Sequence, residues 1–380
     1  MLPFWTLTPC LSIAAAPFSP YNTGEEATVK SEVVSLAKSM EHSISRILIE
    51  TTVRKALRDI HSDPHRSIRN LVDMAAYAAK GRFQKNFFRV TQNMLENENS
   101  PYYGLIEHIV HNVEHEYLLK FGINLGYNSC TKGAKKIREI EKEQGFDVPW
   151  ALSVLLPSEQ AQINYESYQS LIFQGEKLGI HTWLLFARDQ VQEPLQLMYD
   201  HTDSAFFLFV RPEQITRSLM EQMAEAKNVM PVLRCCDGVQ EACEQLRARE
   251  LPYSVYDIYT DLDVESLTSG HWLSEVVEYH PIFSGLLAAR DCSRTAREQV
   301  HAYMEAARRE QLFETLPIEI STDCCYIDGI ISEQGYAAGF DEQGQLFTID
   351  GHTTEPSCNI FANSLYDVLK TAFPKKTAKT

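Results

Sequence analysis

Two periodicities divide the 380-residue chain. From Ser31 to Gln144 the apolar residues fall at helical spacing. Val33, Val34, Leu36, Ala37 and Met40 open a first amphipathic stretch, which Ile44, Ile47, Leu48, Val53 and Leu57 carry to a break at Ser62-Asp63-Pro64. With Asp63 as N-cap, Ile68, Leu71, Val72, Ala75 and Ala79 predict a second helix ended by Gly81. Arg82–Leu95 predicts a third helix, Tyr103–Leu119 a fourth, and Lys132–Lys142 a helix of mixed charge. From Trp150 onward short apolar runs alternate with amphipathic stretches, the signature of parallel βα units. The runs Trp150–Leu156, His181–Phe186, Ser204–Val210, Val229–Arg234, Tyr253–Tyr259 and Ile282–Ala288 predict six strands. Helices are predicted after them from Tyr165, over Pro194–Asp200, Pro212–Ala226, Val239–Glu250, Ser266–Tyr279 and Ser293–Gln311. Gly339–Ile349 then predicts a hairpin turning at Gly344, and Ser364–Phe373 a closing helix.

This pattern divides the chain into a flexible tail (1–40), a helical extension (41–147), a barrel (148–315) and a C-terminal hairpin and helix (316–375). A hydrophobic content of 44% is ample for a packed core. The net charge of −16 argues against nucleic acid as a ligand, because neutralising phosphates takes clustered Lys and Arg. No apolar run approaches the ~20 residues needed to span a bilayer. Nine cysteines, an odd number with no CxxC spacing, suggest reduced thiols in the cytoplasm rather than a disulfide framework or zinc knuckle. The apolar start, MLPFWTLTPCLSIAAAPFSP, reaches Ala14-Ala-Ala16 like a cleavage region but has no basic residue ahead of it. The pattern leaves a targeting role for this segment open.

One local motif points to metal chemistry. His108, His111 and His115 lie at i, i+3 and i+7, and His111-Asn-Val-Glu-His115 fits HxxEH, two imidazoles and a carboxylate on one helical face. Three fixed positions in five make a weak pattern, and a packing helix with exposed histidines is the favoured reading.

The stretch Pro149–Ile180, together with Asn124–Ser129 (NLGYNS) and Lys132–Trp150 before it, resembles the radical S-adenosylmethionine (radical SAM) enzymes. The likeness is to a branch with a helical N-terminal extension, and it runs from about residue 44 to 373. It implies an open (β/α)6 partial TIM barrel with an all-helical extension and a small C-terminal hairpin plus helix. In that family the first strand-to-helix connection carries CxxxCxxC, three thiolates for a [4Fe–4S] cluster. Here the connection is Pro157-Ser-Glu-Gln-Ala-Gln-Ile-Asn164, without a cysteine. After the second strand the family has Gly-Gly-Glu-Pro against the cofactor's methionine group. The matching positions are Ala187, Arg188, Asp189 and Gln190, which add side-chain bulk and a cation beside a sulfonium ligand. Two further family cysteines match Ile330 and Ile349, with Glu355-Pro-Ser-Cys358 as a shifted version of the second.

These departures imply a pseudoenzyme with neither [4Fe–4S] cluster nor S-adenosylmethionine, a non-catalytic partner or scaffold of an active radical SAM paralogue or other pathway enzyme. Phe87, Phe88, Tyr102 and Tyr103 of the extension are the expected docking aromatics, with packing onto the barrel as the alternative. Active sites of such barrels lie at the C-terminal ends of the strands. There the chain offers Glu159, Gln160, Arg188, Arg211, Glu213, Arg234, Cys235, Cys236, Asp237, Asp261, Asp263, Arg290 and Asp291. The second functional reading is therefore a cluster-independent enzyme or small-anion-binding protein using Arg188, Arg211, Arg234 and Arg290. The bland reading pairs Arg188–Asp189, Arg234–Asp237 and Arg290–Asp291 as ion pairs.

Overall fold

The computed structural model describes residues 46–60, 63–79, 82–157, 165–188 and 192–375; the tail expected over 1–40 lies outside them. Ile49–Thr380 form one compact unit, and in the other, Met1–Leu48, the described residues 46–48 are helical. Within the larger unit, residues 49–60 are helical (α1). Next comes α2 (Pro64–Ala78), with Pro64 in its first turn and the Asp63 side chain accepting from the Arg66 N–H at 3.2 Å. Then follow α3 (Arg82–Leu95) and α4 (Pro101–Asn112). Leu57, Ile60, Ile68, Val72, Leu95, Tyr103 and Val110 bury a small core between these helices.

The fourth predicted helix is broken. The backbone becomes extended at Val113 and Glu114, and α5 (His115–Gly122) starts anew. Tertiary contacts account for the break: the Glu114 N–H donates to the Glu250 carbonyl at 2.9 Å, and Lys227 Nζ lies 2.6 Å from the Glu114 carboxylate. From α5 the chain widens into a π-helix over Ile123–Gly133 and narrows again as α6 (Ala134–Gln144), stopped by Gly145 at φ +73°.

The barrel follows in βα order: β1 (Ala151–Leu156), α7 (Tyr165–Leu178), β2 (Thr182–Ala187), α8 (Gln192–Asp200), β3 (Ala205–Val210), α9 (Arg217–Ala226) and β4 (Val229–Arg234). Next are α10 (Val239–Arg247), β5 (Ser254–Tyr259), α11 (Val264–Thr268), α12 (His271–Val276), β6 (Phe283–Ala288) and α13 (Arg294–Arg309). All six predicted strands form. The helix predicted from Pro212 begins only at Arg217, after a 3-10 turn over Pro212–Gln214, and the one over Ser266–Tyr279 is split at Gly270, where φ is +86°.

β7 (Leu316–Glu319) and α14 (Ile320–Ile331) were not foreseen, nor was the short strand over Gly351–His352. The predicted hairpin is β8 (Gly339–Phe340) and β9 (Leu346–Thr348), with Gly344 at φ +76° in its turn; β10 (Gly351–His352) and α15 (Leu365–Ala372) complete the chain. All strands join one open, curled half-barrel sheet in the order β10-β9-β8-β1-β2-β3-β4-β5-β6-β7. The run from β8 through β1 to β7 is parallel, so the hairpin widens the barrel sheet rather than standing apart.

The N-terminal ends of the strands form a sealed floor. In the π-helix, Asn124 donates to the Thr202 and Ser204 carbonyls and Asn128 to that of Asp203, each at 2.9 Å, while Ser129 Oγ lies 2.8 Å from Thr182 Oγ1. Tyr117 of α5 donates to the Val229 carbonyl at 2.5 Å. Gly133 and Gly179 allow a close approach: a side chain at Gly133 would strike the Gly179 carbonyl, and Gly179 itself has φ +99°. Under β1, Asp328 is buried and accepts from the N–H groups of Trp150 (2.6 Å), Tyr336 (3.3 Å) and Ala337 (3.1 Å), joining β1, α14 and β8. Residues 373–375 lie alongside 145–147, with Asp147 N–H on the Phe373 carbonyl and Lys375 N–H on the Gly145 carbonyl, both at 2.9 Å.

Candidate functional site

The opposite, C-terminal ends of the strands make the mouth. Phe186 is in register with Phe209, and Val210 with Leu233, which aligns Arg188, Arg211 and Arg234 one after another across β2, β3 and β4. Aromatic rings lie along the same strand ends. Phe186 stacks on Phe209 (4.2 Å between centroids, 16° between planes), and Phe209 meets Tyr256 edge-on (5.0 Å, 83°). Arg234 stands 5.7 Å from the Tyr256 ring centre.

Each arginine has its own partner. Arg188 Nη1 is 4.0 Å from Glu342 in the hairpin turn, Arg211 Nε 2.6 Å from Glu213, and Arg234 Nε 2.8 Å from Asp257 on the neighbouring strand. Arg290 Nη2 lies 3.1 Å from His352 Nε2 of β10. Arg211 pairs with a sequence neighbour, but Arg234 meets Asp257 rather than Asp237, and Arg290 meets the His352 imidazole rather than Asp291. Asp189, Gln190, Glu159 and Gln160 lie outside the described residues. The C-terminal meander is fastened over this rim by Arg188, by Arg290 and by Arg297, which donates to the Ile349 carbonyl at 2.6 Å.

The thiols near the mouth are held in their neutral form. Burial pushes Cys235 far above the usual thiol range, raises Cys236, and pushes Cys292 up to about 11. In α14, burial raises Cys324 strongly and Cys325 to about 11. The connection between β1 and α7, Pro157–Asn164, contains no thiol. Most of the Arg188 side chain is exposed.

The histidine motif is dismantled by the helix break. His108 and His111 are on α4 and His115 is on α5. His111 Nδ1 lies 2.8 Å from the Glu107 carbonyl and His115 Nε2 3.2 Å from that of Val110. His108 stacks on His280 (4.7 Å), and burial, helped by His280 and Arg247, lowers its pKa to about 4. Among the described residues, no three His, Cys, Asp or Glu side chains converge to hold a metal ion.

Of the expected docking aromatics, Phe87 is exposed and Phe88 half-buried, whereas Tyr102 and Tyr103 are buried. Tyr102 donates to the Arg308 carbonyl at 2.9 Å and Tyr103 to that of Leu95 at 2.7 Å, so both serve packing. Sequence reasoning missed a polar cluster behind β5 and β7. Tyr259 donates to Glu319 at 3.1 Å, and Arg308 grips Asp323 with both terminal nitrogens at 3.0 and 2.9 Å. Burial raises Glu319; despite its own burial, Asp323 is held low by His301 and Arg308. The cluster fastens α13 to α14. Only the adjacent acidic and basic residues hinted at it, and they are separated by an unpredicted strand. Two surface cavities lie away from the arginines. One, of about 350 Å³, is lined by Glu166, Ser170, Gln174, Phe361 and Asn363, and the other, of about 760 Å³, by Asp261, Glu265, Thr268 and Gln299.

No protein-family model and no curated protein matches the chain. Among solved structures, the crystal structure of Streptococcus suis SuiB bound to S-adenosylmethionine matches with a TM-score of 0.44 and 10% sequence identity. The match covers 62% of this chain and 66% of that one, just under two thirds of its length. No described helix is long and apolar enough to cross a membrane.

Proposed function

We propose that this chain is a radical SAM-like barrel that has lost its cluster and S-adenosylmethionine chemistry and acts as a non-catalytic partner or scaffold of an active enzyme, a radical SAM paralogue or another enzyme of the same pathway. The observation that carries the proposal is the thiol-free connection between β1 and α7, at the place where the family's three cluster ligands stand. The mouth arginines support it, because each is matched to a carboxylate or imidazole of this chain instead of being aimed at a reacting centre. Anaerobic reconstitution with iron and sulfide, followed by iron assay and visible spectrum, is expected to leave the protein colourless. A brown protein with several irons per chain overturns the reading. Co-expression with an intact homologue should raise that homologue's activity or yield. If the homologue is fully active alone and never co-elutes with this chain, the partner role fails.

A second reading has one specific observation in its favour, the alignment of Arg188, Arg211 and Arg234 beside Phe186, Phe209 and Tyr256. A small anion would find several guanidinium groups aligned there. Titration with benzoate and with pyrophosphate distinguishes the two readings, since a stoichiometric site lost in Arg234→Ala would establish a ligand-binding mouth.

A further inference from the structure

The helices α1–α3 carry charge of the opposite sign to the rest of the protein. Residues 49–95 contain nine Lys and Arg (Arg54, Lys55, Arg58, Arg66, Arg69, Lys80, Arg82, Lys85, Arg89) and four Asp and Glu (Glu50, Asp59, Asp63, Asp73). That is a net +5 in a chain of −16, which leaves −21 on the remainder. Two of these cations are matched, Arg54 by Glu116 at 2.9 Å and Arg69 by Glu98 at 3.6 Å. Lys55, Arg58, Arg66, Lys85 and Arg89 are exposed and have no carboxylate within ion-pair distance among the described residues.

Apolar side chains stand among these free cations. α2 buries Ile68 and Val72 in the small core, and its outward line at i, i+4, i+8 and i+11 is Arg66, Asn70, Met74 and Tyr77. Tyr77 is 96% exposed and Met74 48%. α3 lies alongside, tied by Gln92 to Asp73 at 2.8 Å, and exposes Lys85 and Arg89 together with Phe87 and Val90. Unmatched cations interleaved with exposed aromatic and aliphatic groups are what an interfacial surface needs: charge to meet anionic headgroups, apolar groups to enter below them.

We infer that the outer face of α2 and α3 is a docking surface for an anionic phospholipid bilayer. Charge complementarity sets the orientation, because the basic helices face the lipid and the acidic barrel points away, beyond the ~10 Å reach of unscreened charge. Met74 and Val90 favour lipid over single-stranded nucleic acid, since aliphatic groups give no stacking platform for bases. The density of charge favours it over a protein interface, whose core sheds charge. This inference is independent of the cluster's loss and of the partner role.

The test is co-sedimentation of the full chain with vesicles of phosphatidylcholine mixed with phosphatidylserine, and with vesicles of phosphatidylcholine alone. Binding to the mixed vesicles at least ~10-fold stronger than to the neutral ones is expected, weakening as salt is raised. Lys85→Glu with Arg89→Glu should abolish the preference, and Tyr77→Ser with Phe87→Ser should lower binding at every salt concentration. All four residues are exposed, and circular dichroism and the melting temperature should be unchanged in both variants. Equal binding to both vesicle types, or no binding, overturns the proposal. So does binding of the charge-reversed variant at full strength. If vesicles do not bind but polyuridylate does, or if the double charge reversal only converts a dimer to a monomer, the surface belongs to nucleic acid or to a second copy, and the proposal is equally overturned.

Discussion

At the floor of the barrel, Asn124, Asn128, Asn228 and Asp328 are almost wholly buried, and their hydrogen bonds go mainly to backbone groups of neighbouring segments. At the mouth, Arg188, Arg211 and Arg234 are partly or largely exposed and pair with other side chains. A buried group that loses its partner has no water to turn to, whereas an exposed ion pair exchanges partner for solvent at little cost. The floor therefore carries the fold, and the mouth is the end free to change its chemistry without unfolding the chain.

The sharpest way to break the comparison is at Asp328. Asp328→Ala leaves the N–H groups of Trp150, Tyr336 and Ala337 without their acceptor, and a loss of about 3 kcal/mol or more in urea unfolding is expected. A change below ~1 kcal/mol would show that the floor is no more demanding than the surface. Next in size is Asn228→Ala, which removes the donor to the Met198 and His201 carbonyls. It should cost about 2 kcal/mol by the same measurement.

The pH dependence sharpens the contrast further. Burial pushes the Asp328 carboxyl up to about 7, although the three N–H donors act in the opposite sense. The folded protein therefore binds this proton more tightly than the unfolded chain, whose aspartate titrates near ~4. The group's contribution is complete below that value and is lost as pH rises toward 7. Asp328→Asn should flatten the fall in stability over this window; an unchanged profile would assign it to other groups. At the small end, Arg234→Met should cost about 1 kcal/mol and Arg188→Ala less than ~0.5 kcal/mol. Losses above ~3 kcal/mol at either arginine would make the mouth as structural as the floor.

The six barrel strands were legible because each is an apolar run bounded by turn or charged residues; β3, Ala-Phe-Phe-Leu-Phe-Val, has no other reading. β7 was not legible. It has four residues, two of which are Pro317 and Glu319, and it forms because β6 supplies an edge for it. The break before His115 was invisible for a similar reason, since it depends on Lys227 and Glu250, more than a hundred residues away. At the site, the strand ends were placed correctly from sequence, but the ion pairs were assigned to sequence neighbours. Arg234 to Asp257 and Arg290 to His352 arise from strand adjacency and from the meander folding back over the rim, which local spacing does not encode. The basic character of α1–α3 was present in the residues all along, concealed by an average taken over an acidic chain.

The pairing of β8 with β1 has a consequence for how the protein is made. Ser153 and Val154 meet Gly339 and Phe340, so one side of β1 has no neighbour until residues 339–340, nearly two hundred positions later, have left the ribosome. Until then a nascent barrel presents an apolar strand with a row of unmatched N–H and C=O groups, a template for joining another nascent chain. Synthesis on crowded polysomes, rather than the stability of the finished fold, is then the stage at which this protein is most exposed to aggregation. A chaperone that holds β1 until β8 has emerged would matter more than any single contact in the native state.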